Sequence, residues 1–251
     1  ITGPFNIQYI ATKNSIKVIE CNLRASRSFP FCSKIYKKNM IDLATQSIMG
    51  KELKEFERSL FDVDYVGVKA PQFSFSRLKG ADPTLGVEMA STGEVACFGH
   101  ELNEAFLKSM ISVGFKIPFR GILLSTGSLN QKVKLLKSIQ KLVSLGYKLY
   151  GTPGTTKFLS ENNIDCSILN WPLSKEEPNI TDYLSSRKID LVINIPKNNE
   201  RNELENDYMI RRMSVDYGVP LITNVQVAKQ MADALEFSSN NELEIMSWDE
   251  Y

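Results

Sequence analysis

Hydrophobic and polar positions near the start of the chain alternate in two short stretches, residues 5–10 and 16–22, which are separated by the polar segment 12–15. Alternation with β-branched residues on both sides of a short polar break predicts a β-hairpin. After it, apolar residues at helical spacing predict one helix over residues 33–50 and another over 101–113. Between these helices we expect a strand, 65–70, and an irregular stretch, 71–92.

From residue 121 onward, short apolar segments alternate regularly with amphipathic ones. The predicted strands are 121–125, 147–151, 190–195 and 220–223. The predicted helices are 131–145, 155–161, 181–187, 203–217 and 225–236. Continuous apolar runs such as Leu191-Val192-Ile193 are typical of strands that are buried on both faces. This alternation predicts an α/β domain with a doubly wound parallel sheet, and we place its beginning near residue 118, giving domains 1–118 and 119–251.

Composition narrows the class of protein and its partners. The 251 residues carry 30 Lys plus Arg against 29 Asp plus Glu, a net charge of +1 that argues against nucleic acid as a partner. No apolar run approaches the roughly 20 residues that cross a bilayer, so we expect no membrane partner. The four cysteines show no C-x-x-C spacing, which favours reduced thiols and a cytoplasmic protein. Because Ile1 is neither an initiator Met nor part of a targeting signal, we expect a piece of a longer polypeptide.

A first group of candidate residues lies on the hairpin and the turn after it. Two paired strands can bring the side-chain oxygens of Gln8, Glu20 and Asn22 to one face, and Mg²⁺ prefers oxygen ligands. Arg24 and Arg27 could then neutralise phosphoryl oxygens, since the guanidinium fork suits bidentate contact. From spacing alone, a solvated edge strand remains the plainer interpretation.

A second group surrounds the segment 151–156, Gly-Thr-Pro-Gly-Thr-Thr, between a predicted strand and a predicted helix. Thr152 and Thr155 offer hydroxyls, and the helix N-terminus offers unpaired N–H groups that attract anions. Asn194 ends another predicted strand, so it should lie at the same edge of the sheet, where open α/β sheets bind ligands. The turn could alternatively serve only as an N-cap.

Three other features favour structural roles on sequence grounds. His100, the only histidine, begins a helical pattern and is expected to be a surface residue. Trp171 fits either a core position or the apolar wall of a ligand pocket. Arg211-Arg212 lies in a helix rich in alternating charge, which favours a solvated face, with anion binding as the alternative.

Two stretches allow a family to be recognised. Residues 18–31, VIECNLRASRSFPF, with residues 88–95, EMASTGEV, closely resemble the C-terminal part of an ATP-grasp domain of carbamoyl-phosphate synthetase. The α/β unit after residue 118 resembles the methylglyoxal-synthase-like regulatory domain that ends that enzyme. The resemblance covers essentially the whole chain in the family's order, and it implies a partial ATP-grasp segment of the α+β type followed by the regulatory domain.

The resemblance also implies roles for the hairpin residues. Gln8, Glu20 and Asn22 match metal ligands of the second ATP site, which holds Mg²⁺ or Mn²⁺ with ATP as substrate. Arg24 and Arg27 match catalytic arginines that face the phosphates and the bound carbamate. The implied whole enzyme is an ATP-dependent, glutamine-hydrolysing ligase that makes carbamoyl phosphate and needs a glutaminase region or subunit. The glycine-rich phosphate loop and adenine pocket of the family have no counterpart here, so we expect this chain alone to be inactive.

For the second half, the resemblance implies an allosteric effector pocket. The matching positions are Lys132, Thr152, Thr155, Trp171, Asn194 and Lys197. Relatives in pyrimidine synthesis bind nucleotides or phosphoribosyl pyrophosphate there, whereas the urea-cycle type binds N-acetylglutamate. Lys197 and Asp207 stand where the urea-cycle type has Asn, and lysine favours phosphate, so we expect the pyrimidine type. A lyase of the methylglyoxal synthase type is the remote alternative, because the predicted strand ends offer mostly Thr, Asn and Lys rather than an acid or base.

Overall fold

The computed structural model describes residues 2–53, 62–84, 91–117, 119–196 and 201–251. These residues belong to two compact units, Ile1–Gly67 and Val68–Tyr251. The boundary predicted near residue 118 lies inside the second unit, so the assignment of domains 1–118 and 119–251 stays a prediction. Within the described residues, no helix is both long enough and apolar enough to span a membrane.

The first unit contains the predicted hairpin. Strands β1 (Asn6–Thr12) and β2 (Ser15–Asn22) pair antiparallel, and a bulge shifts the register between Gln8 and Tyr9. Two helices follow, α1 (Ser28–Ile35) and α2 (Met40–Ile48).

The prediction of one continuous helix over 33–50 is wrong. Lys37 adopts a left-handed backbone conformation with φ of 49°, which ends the first helix. The side chain of Asn39 then accepts hydrogen bonds from the backbone N–H groups of Ile41 and Asp42, so it caps a new helix. The helical spacing of apolar residues continues across this position, so the pattern alone did not show that one helix ends and a second one begins.

In the segment before the large sheet, β3 (Val66–Gln72) pairs with β4 (Gly93–Gly99), and α3 (Leu102–Ser112) follows. The predictions of a strand near 65–70 and a helix over 101–113 are confirmed. Strand β4 was not predicted. Among its described residues, the stretch expected to be irregular contains a short 3-10 helix, Phe75–Arg77.

The remaining elements form the predicted α/β layers. The strands are β5 (Gly121–Thr126), β6 (Lys148–Gly151), β7 (Ser167–Ile168), β8 (Leu191–Ile195) and β9 (Leu221–Ile222). The helices are α4 (Leu129–Ser144), α5 (Pro153–Glu161), α6 (Ile180–Ser185), α7 (Arg201–Asp216) and α8 (Val225–Asn240). The sheet order is β7-β6-β5-β8-β9, and every pair is parallel, so the predicted fold class is confirmed.

Each face of the sheet has its own apolar core. Ile122 and Leu124 of β5 pack in one buried cluster with residues of α3, α4, α5 and α8, whereas Leu123 packs in another with residues of α6 and α7. Successive strand residues point to opposite faces. The chain leaves β5 towards β6 on one side and returns to β8 on the other, which is the topological switch point where open α/β sheets bind ligands.

Candidate functional site

A cluster of buried threonines joins the ends of β5 and β6 at this edge of the sheet. Thr155 Oγ1 accepts a hydrogen bond from the backbone N–H of Thr126 at 3.1 Å and another from Thr152 Oγ1 at 3.1 Å. Thr152 and Thr155 are only 2% and 1% exposed. Thr152 occupies the N-cap position of α5, but its side chain makes no capping hydrogen bond. The hydroxyl network, rather than a cap, therefore holds this turn against the sheet.

A cation lies beside the same turn. Lys132, in the first turns of α4, donates from Nζ to the carbonyl oxygen of Gly154 at 2.8 Å. A Cβ added at Gly154 would come 3.6 Å from that Nζ, which is ordinary contact. In the first turn of α5, Pro153 has no N–H group and the N–H of Thr155 already donates to the carbonyl of Thr152. The lysine therefore adds positive charge to a helix end that favours anions chiefly through its dipole.

Gly151, directly before the turn, serves packing rather than ligand approach. A Cβ there would lie 2.6 Å from Thr156 Oγ1 and 3.0 Å from Cys166 Sγ. Burial raises the pKa of the Cys166 thiol to about 11, so it stays protonated at neutral pH and acts as a packing residue.

Asn194 belongs to a second buried network, on the other face of the sheet. It pairs in register with Ser125 of β5, and both side chains contact Asp207 of α7. Asp207 Oδ1 accepts from Asn194 Nδ2 at 2.8 Å and from Ser125 Oγ at 3.1 Å, while Asn194 Oδ1 accepts from Arg211 Nη1 at 3.0 Å. Both ends of the Asn194 amide are thus engaged inside the protein.

The structure therefore brings together only part of the predicted effector set. Lys132, Thr152 and Thr155 form one group, and Asn194 belongs to the network across the sheet. Trp171 is half-buried against the α6–α7 core cluster, and its carbonyl accepts from Asn179 Nδ2 at 2.9 Å. Lys197 lies outside the described residues.

The interpretation of Arg211-Arg212 as a solvated helix face is wrong, whereas anion binding there stays a prediction. Both arginines are buried, and they bind the segment 75–82 that precedes the large sheet. Arg211 forms a bidentate pair with Asp82, with distances of 2.8 Å from Nε and 2.6 Å from Nη2. Arg212 Nη1 donates to the carbonyls of Phe75, Leu78 and Ala81 at 3.0–3.1 Å. We call these two residues and the segment 75–82 the arginine clasp.

Sequence reasoning did not identify Ser125, Thr126 or Asp82 as part of these networks. A signal existed for the first two, since Ser125 ends a predicted strand and Thr126 directly follows it, at the ligand-binding edge of the sheet. His100 is exposed, as expected, and its backbone N–H donates to Glu104 Oε2 at 2.7 Å.

On the hairpin, the predicted ligands do share a face. Gln8 pairs directly with Glu20, and Asn22 follows two residues later on the same side of β2. Asn22 Nδ2 donates to Glu20 Oε1 at 2.9 Å, an arrangement that leaves a carboxylate and two amide oxygens to fit a hard cation such as Mg²⁺. Arg24 and Arg27 are exposed, and Arg27 is the N-cap residue of α1. Within the described residues, no group of three or more His, Cys, Asp and Glu side chains could hold a metal. Residues 88–90, which belong to the second recognised stretch, lie outside the described residues.

Comparison with known proteins identifies relatives of this chain and one known domain within it. Residues 134–223 match the family model of the MGS-like domain. The chain is 53% identical over 245 residues to the multifunctional protein URA2 of Saccharomyces cerevisiae, covering 94% of this chain and 11% of that protein. It is 46% identical over 248 residues to the mitochondrial carbamoyl-phosphate synthase (ammonia) of Homo sapiens, covering 95% and 16%. Among solved structures, methylglyoxal synthase from Elizabethkingia anophelis matches 52% of this chain and 88% of its own at 17% identity, with a TM-score of 0.33.

The parallel sheet and the matching family model together define a chain that contains an MGS-like α/β domain. Across nearly its whole length, the chain is homologous to a segment of multifunctional proteins such as URA2 and of carbamoyl-phosphate synthases. It spans only 11% and 16% of the length of the two curated relatives described above, so it corresponds to a segment of such proteins.

Proposed function

We propose that this chain is the C-terminal part of the synthetase region of a cytoplasmic, glutamine-dependent carbamoyl-phosphate synthase of pyrimidine synthesis. In the whole protein, bicarbonate, ammonia from a glutaminase region and two ATP would give carbamoyl phosphate. The domain formed by residues 119–251 would bind an allosteric nucleotide or phosphoribosyl pyrophosphate. The contact between Lys132 Nζ and Gly154 O, at the N-terminus of α5, is the observation that carries this proposal.

The chemistry of that site suits a phosphate group. Phosphate oxygens accept from backbone N–H groups at a helix N-terminus, and a lysine ammonium adds a charge-assisted hydrogen bond. The buried hydroxyls of Thr152 and Thr155 hold the turn in place, so little ordering is required when a ligand binds.

The hairpin supports the ATP half of the proposal. Gln8, Glu20 and Asn22 would hold Mg²⁺ or Mn²⁺, which supplies charge neutralisation for a transferring phosphoryl group when bound. Arg24 and Arg27, exposed just after β2, would contact the phosphates and carbamate. In the full-length enzyme, we expect Glu20→Gln to lower carbamate phosphorylation by at least 100-fold, on the order of one lost transition-state contact.

The ammonia-type relative, at 46% identity, supports a second candidate in which the effector is N-acetylglutamate. That ligand carries carboxylates and an amide but no phosphate. The higher identity to URA2, together with Lys132 beside α5, favours the phosphate ligand.

Calorimetric titration of the 251-residue chain with UTP, phosphoribosyl pyrophosphate and N-acetylglutamate tests the proposal. We expect saturable binding of a phosphate ligand only, weakened by Lys132→Ala and unchanged by Lys137→Ala on the exposed side of the same helix. Binding of N-acetylglutamate alone would establish the ammonia-type alternative. Release of phosphate from dihydroxyacetone phosphate would instead support the lyase.

A further inference from the structure

The arginine clasp connects two parts of the second unit that are far apart in sequence. Asp82 and Arg211 are separated by 129 residues, yet they form a bidentate ion pair. Tyr208, one turn earlier on α7, donates from its hydroxyl to the carbonyl of Gly80 at 2.9 Å. Three side chains of one helix therefore hold one short segment of the chain.

The two arginines have different connections on their other sides. Arg212 also forms an ion pair with Asp216 on its own helix, so its role is to anchor the segment 75–82 to α7. Arg211 also donates a hydrogen bond to Asn194 at the carboxyl end of β8, and Asp207 accepts hydrogen bonds from both Asn194 and Ser125. Of the two arginines, it is therefore Arg211 that joins the segment to the ligand-binding edge of the sheet.

The geometry of Arg211 makes these contacts interdependent. Its guanidinium is planar and rigid, so the N–H groups that bind Asp82 and the one that binds Asn194 cannot reorient separately. The Arg211 side chain is 4% exposed, whereas Asp82 is 41% exposed. Water cannot replace a partner that is lost inside the protein. If the Asn194 amide moved, Arg211 Nη1 would therefore be left as a buried donor without an acceptor.

We infer that Arg211 is a positioning residue that couples effector occupancy at the edge of the sheet to the docking of the segment 75–82. This inference rests on the proposed function. A ligand that shifts the Asn194 amide or the Asp207 carboxylate turns the guanidinium and changes its pair with Asp82. By reciprocity, the docked and released segments have different affinities for the effector.

Hydrogen exchange of the segment 75–82 in the 251-residue chain, with and without saturating UTP or phosphoribosyl pyrophosphate, tests the coupling. We expect the bound ligand to change exchange there by about fivefold or more, within the usual range of coupling energies. Asp82→Asn should abolish this ligand-dependent change and alter the effector Kd by a similar factor. The matched control is Glu94→Gln, which breaks the ion pair between Lys69 and Glu94 outside the clasp.

Arg212→Lys separates coupling from simple anchoring. It should raise the basal exchange of the segment, because the three carbonyl contacts are lost, but keep the ligand-dependent change through Arg211. Equal loss of that change in Arg212→Lys and Asp82→Asn would overturn the inference, as would ligand binding without any effect on exchange in the wild type. Absence of binding by every ligand would instead remove the proposed function, and the coupling with it.

Discussion

The ammonium group of Lys132 lies 2.8 Å from the carbonyl oxygen of Gly154, which joins the N-terminal turns of α4 and α5. The lysine comes from a helix that begins with a capping box formed by Ser128 and Gln131, so its backbone position is well defined. A positive charge is thereby fixed beside the turn that the buried threonines hold against the sheet.

Replacing Lys132 with Ala should lower the affinity for UTP or phosphoribosyl pyrophosphate by about 10- to 100-fold. A hydrogen bond to a charged group contributes about 1.5–3 kcal/mol, and each 1.4 kcal/mol is tenfold in Kd. Calorimetry at two salt concentrations measures the loss, and its salt dependence should be smaller in the variant. Unchanged binding in Lys132→Ala would exclude the turn after β6 as the phosphate site.

Thr155 should contribute to stability through its hydroxyl alone. Thr155→Val preserves shape but leaves the buried N–H of Thr126 without its acceptor, which costs about 1–3 kcal/mol. Denaturant unfolding measures the difference, with Thr156→Val as the control, since among the described residues that neighbouring hydroxyl has a single hydrogen-bond partner, Cys166 Sγ at 3.8 Å. Equal effects of the two substitutions would contradict the role assigned to Thr155.

Local patterns predicted those parts of the fold that depend on neighbours in sequence. Alternation in residues 5–10 and 16–22 was sufficient for the hairpin, and pairing then placed Gln8 opposite Glu20. The buried run Leu191-Val192-Ile193 was likewise sufficient for a central parallel strand.

Long-range contacts explain what the sequence did not predict. The charges of Arg211 and Arg212 resemble a solvated helix face because nothing nearby in the sequence reveals that residues 75–82 cover them. Similarly, the direction of Asn194 depends on which face of the sheet α7 covers, and strand periodicity alone does not give that. The division of the candidate effector residues between two faces is a property of packing.

Gly151 should be intolerant of any side chain. In Gly151→Ala, the new Cβ would lie 2.6 Å from Thr156 Oγ1, so the Thr156 side chain and the turn that begins α5 must shift, at a cost of about 1–3 kcal/mol. Because α5 carries the proposed phosphate site, effector affinity should fall as well. The control is Gly93→Ala, where no atom lies within 4 Å of the added Cβ. Thermal unfolding and calorimetry measure both effects, and a fully stable Gly151→Ala would refute this packing role.

Asp190 should stabilise the fold in a pH-dependent manner. Burial opposes its ionisation, but hydrogen bonds from the Arg120 side chain and from the backbone N–H groups of Arg120 and Gly121 outweigh burial and lower the pKa of Asp190. A lowered folded-state pKa means that this stability is present above the unfolded value of about 3.9 and is lost as the pH falls through the folded value. Since Arg120 is 77% exposed, we expect Asp190→Asn to cost only about 1 kcal/mol at pH 7.

The melting temperatures of the wild type and of Asp190→Asn, measured from pH 7 to pH 3, test this directly. One kcal/mol corresponds to about 2–4 °C for a chain of this size, and the gap should narrow below about pH 4. Asp165→Asn, at an exposed aspartate before β7, provides the same change of charge without these contacts. A gap that stays constant down to pH 3 would mean that the carboxylate charge of Asp190 does not support the start of β5.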